Sequence, residues 1–203
     1  MFIRNDKNLS FVRVLHASPD APPVDIYVDG KLIFKDLAFK NFTEYVPLAK
    51  GTYKFDVYPV GKTEKPVLSQ SIDIPENEVI TVAAAGDLID LQLVAYFELN
   101  PKDIMEGKTR VRFIHLSPDA PAVEILLDNR TAFNDVGFLD ATDYLDIPAG
   151  TYTIEIDISD TKDRLIEMES EFKSQKVYTI YILGNSTDLT TIQSVDGSTY
   201  MRY

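Results

Sequence analysis

The chain has 203 residues, of which 45% are hydrophobic and 26% charged, a composition typical of folded proteins with one large or two small domains. Its 32 acidic and 20 basic residues give a formal net charge of -12, which disfavours a nucleic-acid partner because the phosphate backbone is also negative. Cysteine is absent, which excludes disulfides, thiolate zinc sites, iron–sulfur clusters and a cysteine nucleophile.

The N-terminal residues do not resemble a secretory signal peptide, since the polar residues 4–8 interrupt the apolar run that such a signal needs. No apolar stretch approaches the 18 residues of a membrane-spanning helix, and the longest, 79–85, is broken by Thr81. The sequence therefore predicts no transmembrane segment. Its location stays open between the cytoplasm, export by an unrecognised route and a chain already trimmed of its signal.

Short strands are predicted throughout the first half of the chain. The segment Val24 to Val28, which at first alternates apolar and polar residues, meets Asp29-Gly30. This pair is typical of a type I′ hairpin because both central residues need positive φ. Residues 51–57 alternate between apolar and polar side chains, which indicates a strand with one buried face. Further strands are predicted at 11–17, 43–48, 66–74, 79–86 and 91–97.

The segment 100–109 is predicted to link two domains that span 1–99 and 110–203. Asn100 precedes Pro101, and Gly107 follows six residues later, a pattern that could cap one helical turn. No other part of the chain has a convincing helical period.

The second half of the chain repeats the first. Residues 111–157 align with 12–58 without a gap, and 19 of the 47 positions are identical. After one deletion the offset falls from 99 to 98, so that 177–180 aligns with 79–82. Two copies of about 95 residues are too long for solenoid repeats and fit two small domains.

The second copy predicts the same strands as the first. Asp128-Asn129 stands at the hairpin turn, and the strand beginning at Thr151 directs Ile154 inward and Glu155 and Asp157 outward to water. About seven short strands with regular turn signals predict an all-β, immunoglobulin-like antiparallel β-sandwich in each copy. The cysteine and tryptophan hallmarks of antibody domains are missing, so this likeness is architectural.

Several strings resemble the DUF4397 family of bacterial proteins. They are His16 to Pro22, Val24 to Gly30, Phe42 to Tyr45 and Gly51 to Tyr53, with a looser match at 123–129. The resemblance covers nearly the whole chain as two tandem copies. It implies immunoglobulin-like or transthyretin-like sandwiches in proteins that are often secreted or attached to the cell wall.

The resemblance and the duplication together indicate a non-enzymatic binding or structural module of the bacterial cell envelope. Its partner would be a protein or another envelope component that the residues do not identify.

A short motif with the residue types of a serine hydrolase occurs once in each copy. It comprises His16, Ser18, Pro19 and Asp20, and again His115, Ser117, Pro118 and Asp119. A hydrolase is therefore the alternative function, although no nucleophile elbow or glycine-rich oxyanion loop accompanies the motif. Serine and aspartate beside proline more often close a turn through the backbone, so we predict a structural role and no catalytic residue.

In that structural interpretation the histidine satisfies buried polar groups of the turn. Asp20 would accept hydrogen bonds from the backbone N–H groups of Ala21 and Val24.

The acidic segment 157–163 raises a third function, that of a calcium-stabilised surface module, because calcium is bound by six to eight oxygen ligands. The glycine and glutamate of an EF-hand loop are absent, and a solvated hairpin tip is the simpler interpretation. His16 and His115 lie in separate copies, which disfavours a shared zinc site. We therefore predict neither a metal nor a cofactor.

Overall fold

The computed structural model describes residues 8–99 and 101–200, and within these ranges it contains sixteen strands and three single-turn 3₁₀ helices but no α-helix. The chain divides into two compact units, one reaching Glu98 and the other covering Leu99–Tyr200. No helix among the described residues combines the length and apolar character needed to cross a membrane.

The first unit contains eight strands in two four-stranded sheets. The strands are β1 Leu9–His16, β2 Val24–Val28, β3 Lys31–Leu37, β4 Val46–Ala49, β5 Gly51–Pro59, β6 Leu68–Ile74, β7 Val79–Ala85 and β8 Gln92–Phe97. One sheet has the order β4-β1-β7-β8 and the other β3-β2-β5-β6. The pair β1–β7 is parallel, and every other pair is antiparallel.

The second unit repeats this topology strand for strand. Its strands are β9 Lys108–His115, β10 Val123–Leu127, β11 Arg130–Val136, β12 Leu145–Pro148, β13 Gly150–Ile158, β14 Arg164–Phe172, β15 Val177–Leu183 and β16 Thr190–Val195. Its sheets are β12-β9-β15-β16 and β11-β10-β13-β14, with β9 and β15 parallel.

The predicted all-β sandwich is confirmed in both copies, with two differences in detail. Each copy has eight strands instead of about seven, because the strand after the hairpin turn was not recognised separately. Each copy also contains one parallel pair, so its first sheet is mixed rather than purely antiparallel. That pair joins strands far apart in the sequence, and no local pattern specifies its direction.

The segment predicted as a linker contains a single 3₁₀ turn, Pro101–Asp103, and the start of β9 at Lys108. The predicted cap at Asn100 lies outside the described residues.

Both predicted hairpin turns have the backbone conformation that their residues favour. The φ angles are 48° at Asp29 and 75° at Gly30, and 50° and 62° at Asp128 and Asn129. The two aspartates also tie the turns to the neighbouring strand, since Asp29 accepts the backbone N–H of Lys54 at 3.0 Å and Asp128 makes the equivalent bond at 2.9 Å. Sequence and tertiary contacts therefore favour the same turn.

The core of each copy lies between its two sheets and takes residues from both. In the first copy the cluster includes Val14, Ile26, Phe55, Val57 and Ile80. In the second it includes Phe113, Ile125, Ile154, Ile156 and Ile180. Burial of each such side chain contributes about 1.5–3 kcal/mol, which makes these inward-facing residues the main stabilising force of the sandwich.

The prediction that Glu155 and Asp157 face water was wrong. Both residues are buried on the outer face of their sheet, because the guanidinium of Arg164 covers them. Its Nε donates to Asp157 at 2.5 Å and its Nη1 to Glu155 at 2.8 Å. The alternation of the strand was identified correctly, but the long arginine on β14 removes the outward carboxylates from solvent.

Candidate functional site

The duplicated His-x-Ser-Pro-Asp motif lies at the end of a parallel strand pair. Because β1 and β7 run in the same direction, the loops that follow them lie at the same edge of the sheet. The backbone N–H of Ala17 donates to Ala84 across this pair, and that of Leu116 donates to Ile182 in the second copy, both at 2.8 Å. The fold thereby brings the motif loop against the β7–β8 loop.

The motif histidines are almost fully buried, with 1% of His16 and 0% of His115 exposed. Nε2 of His16 lies 3.1 Å from the carbonyl oxygen of Pro22, and Nε2 of His115 lies 3.1 Å from that of Pro121. A carbonyl oxygen only accepts, so Nε2 carries the proton in both rings. Burial lowers the pKa of both histidines, although the hydrogen bond to the proline carbonyl opposes the shift.

The motif serines are buried and donate to the aspartates two residues later. The hydroxyl of Ser18 lies 3.2 Å from Oδ1 of Asp20, and that of Ser117 lies 3.5 Å from Oδ1 of Asp119. Neither hydroxyl donates to an imidazole nitrogen in these contacts; in the second copy it is the backbone N–H of Ser117 that reaches Nδ1 of His115, at 3.3 Å.

The motif aspartates fasten one loop to the other. Oδ1 of Asp20 accepts the backbone N–H of Leu88 at 2.8 Å, and Oδ1 of Asp119 accepts that of Ser186 at 2.8 Å. The predicted donors Ala21 and Val24 are replaced by this donor from the β7–β8 loop. The reason is the parallel pairing of β1 and β7, which brings together residues 68 positions apart.

The aspartate of the second copy is the more strongly held. Besides the backbone bond, Oδ2 of Asp119 accepts the hydroxyl of Ser186 at 2.9 Å. Burial opposes ionisation of this carboxyl, but the hydrogen bonds from Ser186 and Ser117 outweigh it and hold the pKa of Asp119 below its usual value.

The loop that receives the aspartate depends on a glycine at its first position. Gly86 has a φ of +100° and Gly184 a φ of +94°, a region that side chains rarely adopt. A Cβ atom would lie 2.8 Å from the carbonyl oxygen of Asp90 in the first copy and 2.3 Å from that of Asp188 in the second. Glycine therefore permits the tight turn that brings the backbone N–H of Leu88 or Ser186 to the motif aspartate.

The arrangement does not have the geometry of a catalytic triad. In a triad the imidazole accepts the serine proton while the carboxylate orients the imidazole from its other side. Here histidine is bonded to a proline carbonyl and serine to the carboxylate. These contacts close the motif loop and anchor it to the β7–β8 loop.

The polar side chains of the acidic hairpin 157–163 bond to one another and to neighbouring side chains. Arg164 covers Asp157, Nζ of Lys162 lies 2.7 Å from Oε2 of Glu124, and Thr161 donates to Asp163 at 2.8 Å. In residues 8–99 and 101–200 no group of three or more acidic, histidine or cysteine side chains is arranged to hold a metal ion.

A model of the DUF4397 family, described as a domain of unknown function, matches residues 10–126 and 116–200. The chain belongs to the DUF4397 family. The two overlapping matches show two copies in tandem, which confirms the resemblance identified from the motif strings. No curated protein matches the chain significantly in sequence.

Solved structures similar to this DUF4397 protein share little sequence with it. A family 26 carbohydrate-binding module from Eubacterium rectale Amy13K, in complex with maltoheptaose, is 11% identical with a TM-score of 0.30, covering 93% of this chain and 99% of that one. Family 41 carbohydrate-binding modules from streptococcal virulence factors, which recognise alpha-glucan, are 15% identical with a TM-score of 0.28, covering 88% and 94%.

The fimbrial anchor protein Mfa2 from Porphyromonas gingivalis is 11% identical with a TM-score of 0.24, covering 93% of this chain and 98% of that one. At these scores none of the three structures supports an argument about function.

Each DUF4397 copy also contains a buried arginine network that the sequence analysis did not identify. In the first copy Nε of Arg13 donates to the hydroxyl of Thr81 at 2.8 Å, and Thr81 donates to Glu98 at 2.8 Å. Tyr45 donates to the same carboxylate at 2.5 Å, and its ring lies 4.8 Å from the guanidinium carbon. The carboxylate also pairs directly with the arginine at 3.5 Å.

The second copy repeats the network with a shorter acid. Arg112 donates to Thr179 at 2.9 Å, and Thr179 and Tyr144 donate to Asp196 at 2.8 and 2.6 Å. The signal that could have revealed it is an arginine at the same aligned position in both copies with apolar residues on either side, Val12 and Val14 in the first and Val111 and Phe113 in the second. The partners are distant in sequence, so only the fold brings them together.

Proposed function

We propose that this DUF4397 protein is a non-enzymatic tandem β-sandwich that acts as a binding or structural module of the bacterial cell envelope. The observation that carries the proposal is the internal use of the one motif with reactive residue types. In both copies the histidine bonds to a proline carbonyl, the serine bonds to the aspartate, and the aspartate bonds to the loop after β7 or β15.

Burial supports the same conclusion. A serine nucleophile needs an open approach for the scissile carbonyl and donors for the oxyanion that forms. Ser18 and Ser117 have no exposed surface, and each hydroxyl is directed toward a carboxylate. The neutral imidazoles carry their proton on Nε2, which faces a proline carbonyl. Each serine hydroxyl donates to an aspartate and not to Nδ1 of the ring, so no serine proton is directed toward an imidazole.

The duplication supports a binding or structural role, because such a role benefits from having two copies of the module. Tandem modules increase reach or avidity when two sites engage together. The resemblance to a family whose members are often secreted or attached to the cell wall supports the envelope part of the proposal.

The enzymatic alternative is tested by activity-based labelling of the full chain. The protein is incubated with a fluorophosphonate probe and with a panel of p-nitrophenyl esters, beside the Ser18→Ala/Ser117→Ala double variant. We expect no labelling and equal background hydrolysis for both proteins. Labelling or turnover that disappears in the double variant would overturn the proposal in favour of a hydrolase.

The location is tested by fractionating cells that carry the untagged natural protein and detecting it with an antibody. We expect recovery with the envelope or the medium. Recovery with the cytosolic fraction alone would contradict the envelope part of the proposal and leave the non-enzymatic part standing.

A further inference from the structure

An apolar cavity of about 210 Å³ opens between the two sheets of the first copy. Val12 and Leu48 line it from the sheet that contains β1 and β4, and Phe34, Tyr53 and Phe55 line it from the other sheet. The cavity is therefore an extension of the core that reaches the surface at the β3–β4 side of the sandwich.

The strand at the rim of the cavity is irregular. The pairing of β2 with β3 changes register, from Ile26 opposite Phe34 to Tyr27 opposite Leu32, which leaves Ile33 as the extra residue of a bulge. Ile33 lines the cavity and is 42% exposed. The bulged strand β3 thus contributes Ile33 to the rim, and the four-residue β4 contributes Val46 and Leu48.

An unfilled apolar space of this size lowers the stability of the core. Protein interiors are close-packed, and unfilled apolar volume lowers stability in proportion to its size. Apolar cavities of about 150 Å³ in protein cores take up benzene, so the space here accommodates an aromatic ring or a short branched chain. An apolar pocket with a few polar groups at its mouth is the usual form of a small-molecule site.

The mouth of the cavity carries one cation whose charge is not neutralised by an ion pair among the described residues. Lys31 is exposed and lines the cavity. Asp29 also lines the cavity, and its carboxylate accepts the backbone N–H of Lys54. If the apolar part of a ligand entered the cavity, a negatively charged group of the same ligand that stayed at the surface would lie close to the Lys31 ammonium.

We propose that this cavity binds a small amphiphilic carboxylate, with an apolar group of about the size of a benzene ring among Phe34, Leu48 and Tyr53 and its carboxylate at Lys31. The inference rests on the proposed function and gives its binding part a ligand class. The first copy is the binding copy in this proposal.

The second copy offers a matched control. Leu145 occupies the position of Val46, and Arg130 that of Lys31, at the same offset of 99 residues. Val46→Phe narrows the cavity of the first copy, while Leu145→Phe makes the same kind of change in the second. Val46→Leu, which copies the residue of the second half, is a milder narrowing variant that serves if the phenylalanine variant does not fold.

The experiment is a methyl-detected NMR titration of the full chain with 3-phenylpropionate. The neutral 3-phenylpropanol and the cationic 3-phenylpropylammonium are the comparison ligands. We expect saturable shifts at the methyl groups of Val12, Val46 and Leu48, with affinity decreasing from the carboxylate to the alcohol to the ammonium compound. Val46→Phe should abolish these shifts and raise the melting temperature, whereas Leu145→Phe should leave them unchanged.

Lys31→Gln tests the contact between the ligand carboxylate and Lys31 separately from binding of the apolar group in the cavity. It should weaken carboxylate binding by about two- to fivefold, as expected for an exposed ion pair, and leave the alcohol unaffected. Absence of shifts at Val12 and Leu48 up to the solubility limit, or equal binding to Val46→Phe, would overturn the cavity site. Equal affinity for all three ligands would overturn the role of Lys31.

Failure of this titration leaves the non-enzymatic module intact. Serine labelling, by contrast, would overturn the proposed function whatever the cavity binds.

Discussion

On the outer face of the β2–β5 pair, the first copy places the rings of Tyr27 and Tyr58 edge to face, 5.2 Å apart. The second copy has Leu126 and Asp157 at the equivalent positions, and the guanidinium of Arg164 extends across this face. One fold thus supports an aromatic pair in one copy and a network of charges in the other.

The difference shows which residues the shared fold depends on. The inward positions stay apolar in both copies, because the sandwich is stabilised by burying them. The outward positions are free to change as long as any buried charge has a partner. Glu155 and Asp157 meet this condition through Arg164, whose own side chain remains 38% exposed.

The far edge of the sandwich shows the same freedom. In the first copy the side-chain amide of Gln70 bridges β6 and β8, donating to the carbonyl of Leu93 at 2.8 Å and accepting its N–H at 2.9 Å. The register places Met168 and Thr191 at these positions in the second copy, where the hydroxyl donates to the sulfur at 2.8 Å. The two edges are joined at the same point by different chemistry.

The largest expected effect tests the feature that the copies share most closely, the buried arginine network. Arg13→Met should leave the buried carboxylate of Glu98 without its cation and lower the free energy of unfolding by about 3–5 kcal/mol. Chemical denaturation measures the loss, and hydrogen exchange of peptides from each copy locates it. As a control, Lys35→Met alters an exposed cation on β3 and should change little. Equal stability of Arg13→Met and the parent would contradict the assigned role.

Replacing the glycine after β7 or the glycine after β15 by alanine should lower stability by different amounts in the two copies. Gly184→Ala and Gly86→Ala should each lower stability by about 1–3 kcal/mol through strain at positive φ. Gly184→Ala should be the worse, because its Cβ would lie 2.3 Å from a carbonyl oxygen against 2.8 Å at Gly86. Gly61→Ala, also at positive φ but with open space around it, separates strain from the clash. The reverse order of melting temperatures would show that the second loop relaxes more easily.

Replacing either motif aspartate by alanine should have a smaller effect on stability than the glycine substitutions. Asp119→Ala removes the acceptor for the backbone N–H and hydroxyl of Ser186, and Asp20→Ala removes that for Leu88. These hydrogen bonds lie at the surface, where water can replace the carboxylate, so each variant should lose about 0.5–1.5 kcal/mol of stability. We expect the larger loss for Asp119, measured by thermal unfolding beside the exposed hairpin variant Asp160→Ala. Unchanged melting curves for both motif variants would indicate that the motif has a role other than closing the turn.

The smallest expected effect is a dependence of stability on pH. Burial lowers the pKa of His16 and His115, so the unfolded chain takes up protons near pH 6.5 while the folded chain does not. Stability should therefore be full above pH 6.5 and fall as the pH drops from there toward the folded pKa values. The His16→Gln/His115→Gln variant should show a flatter slope between pH 7 and pH 5. An identical slope in the parent and the variant would show that other groups govern this range.

Much of the fold follows from local patterns in the residues. Alternation marks β5 and β13, and Asp29-Gly30 predicts its own turn because few other pairs adopt positive φ at both positions. Burial of His16 agrees with the mostly apolar residues that precede it, and every residue of β1 from Ser10 to His16 is buried. These features depend on a few consecutive residues, so the linear sequence contains the information needed to predict them.

The functional geometry depends instead on contacts between distant strands. Asp20 meets Leu88, and Arg13 meets Thr81, only because β1 pairs in parallel with β7, a pairing that adjacent residues do not encode. The cavity is lined by residues of both sheets, from β1 and β4 on one side and from β3 and β5 on the other. Hydrogen bonds and cavities of this kind arise from the packing of whole sheets, and for that reason only the tertiary structure decides them.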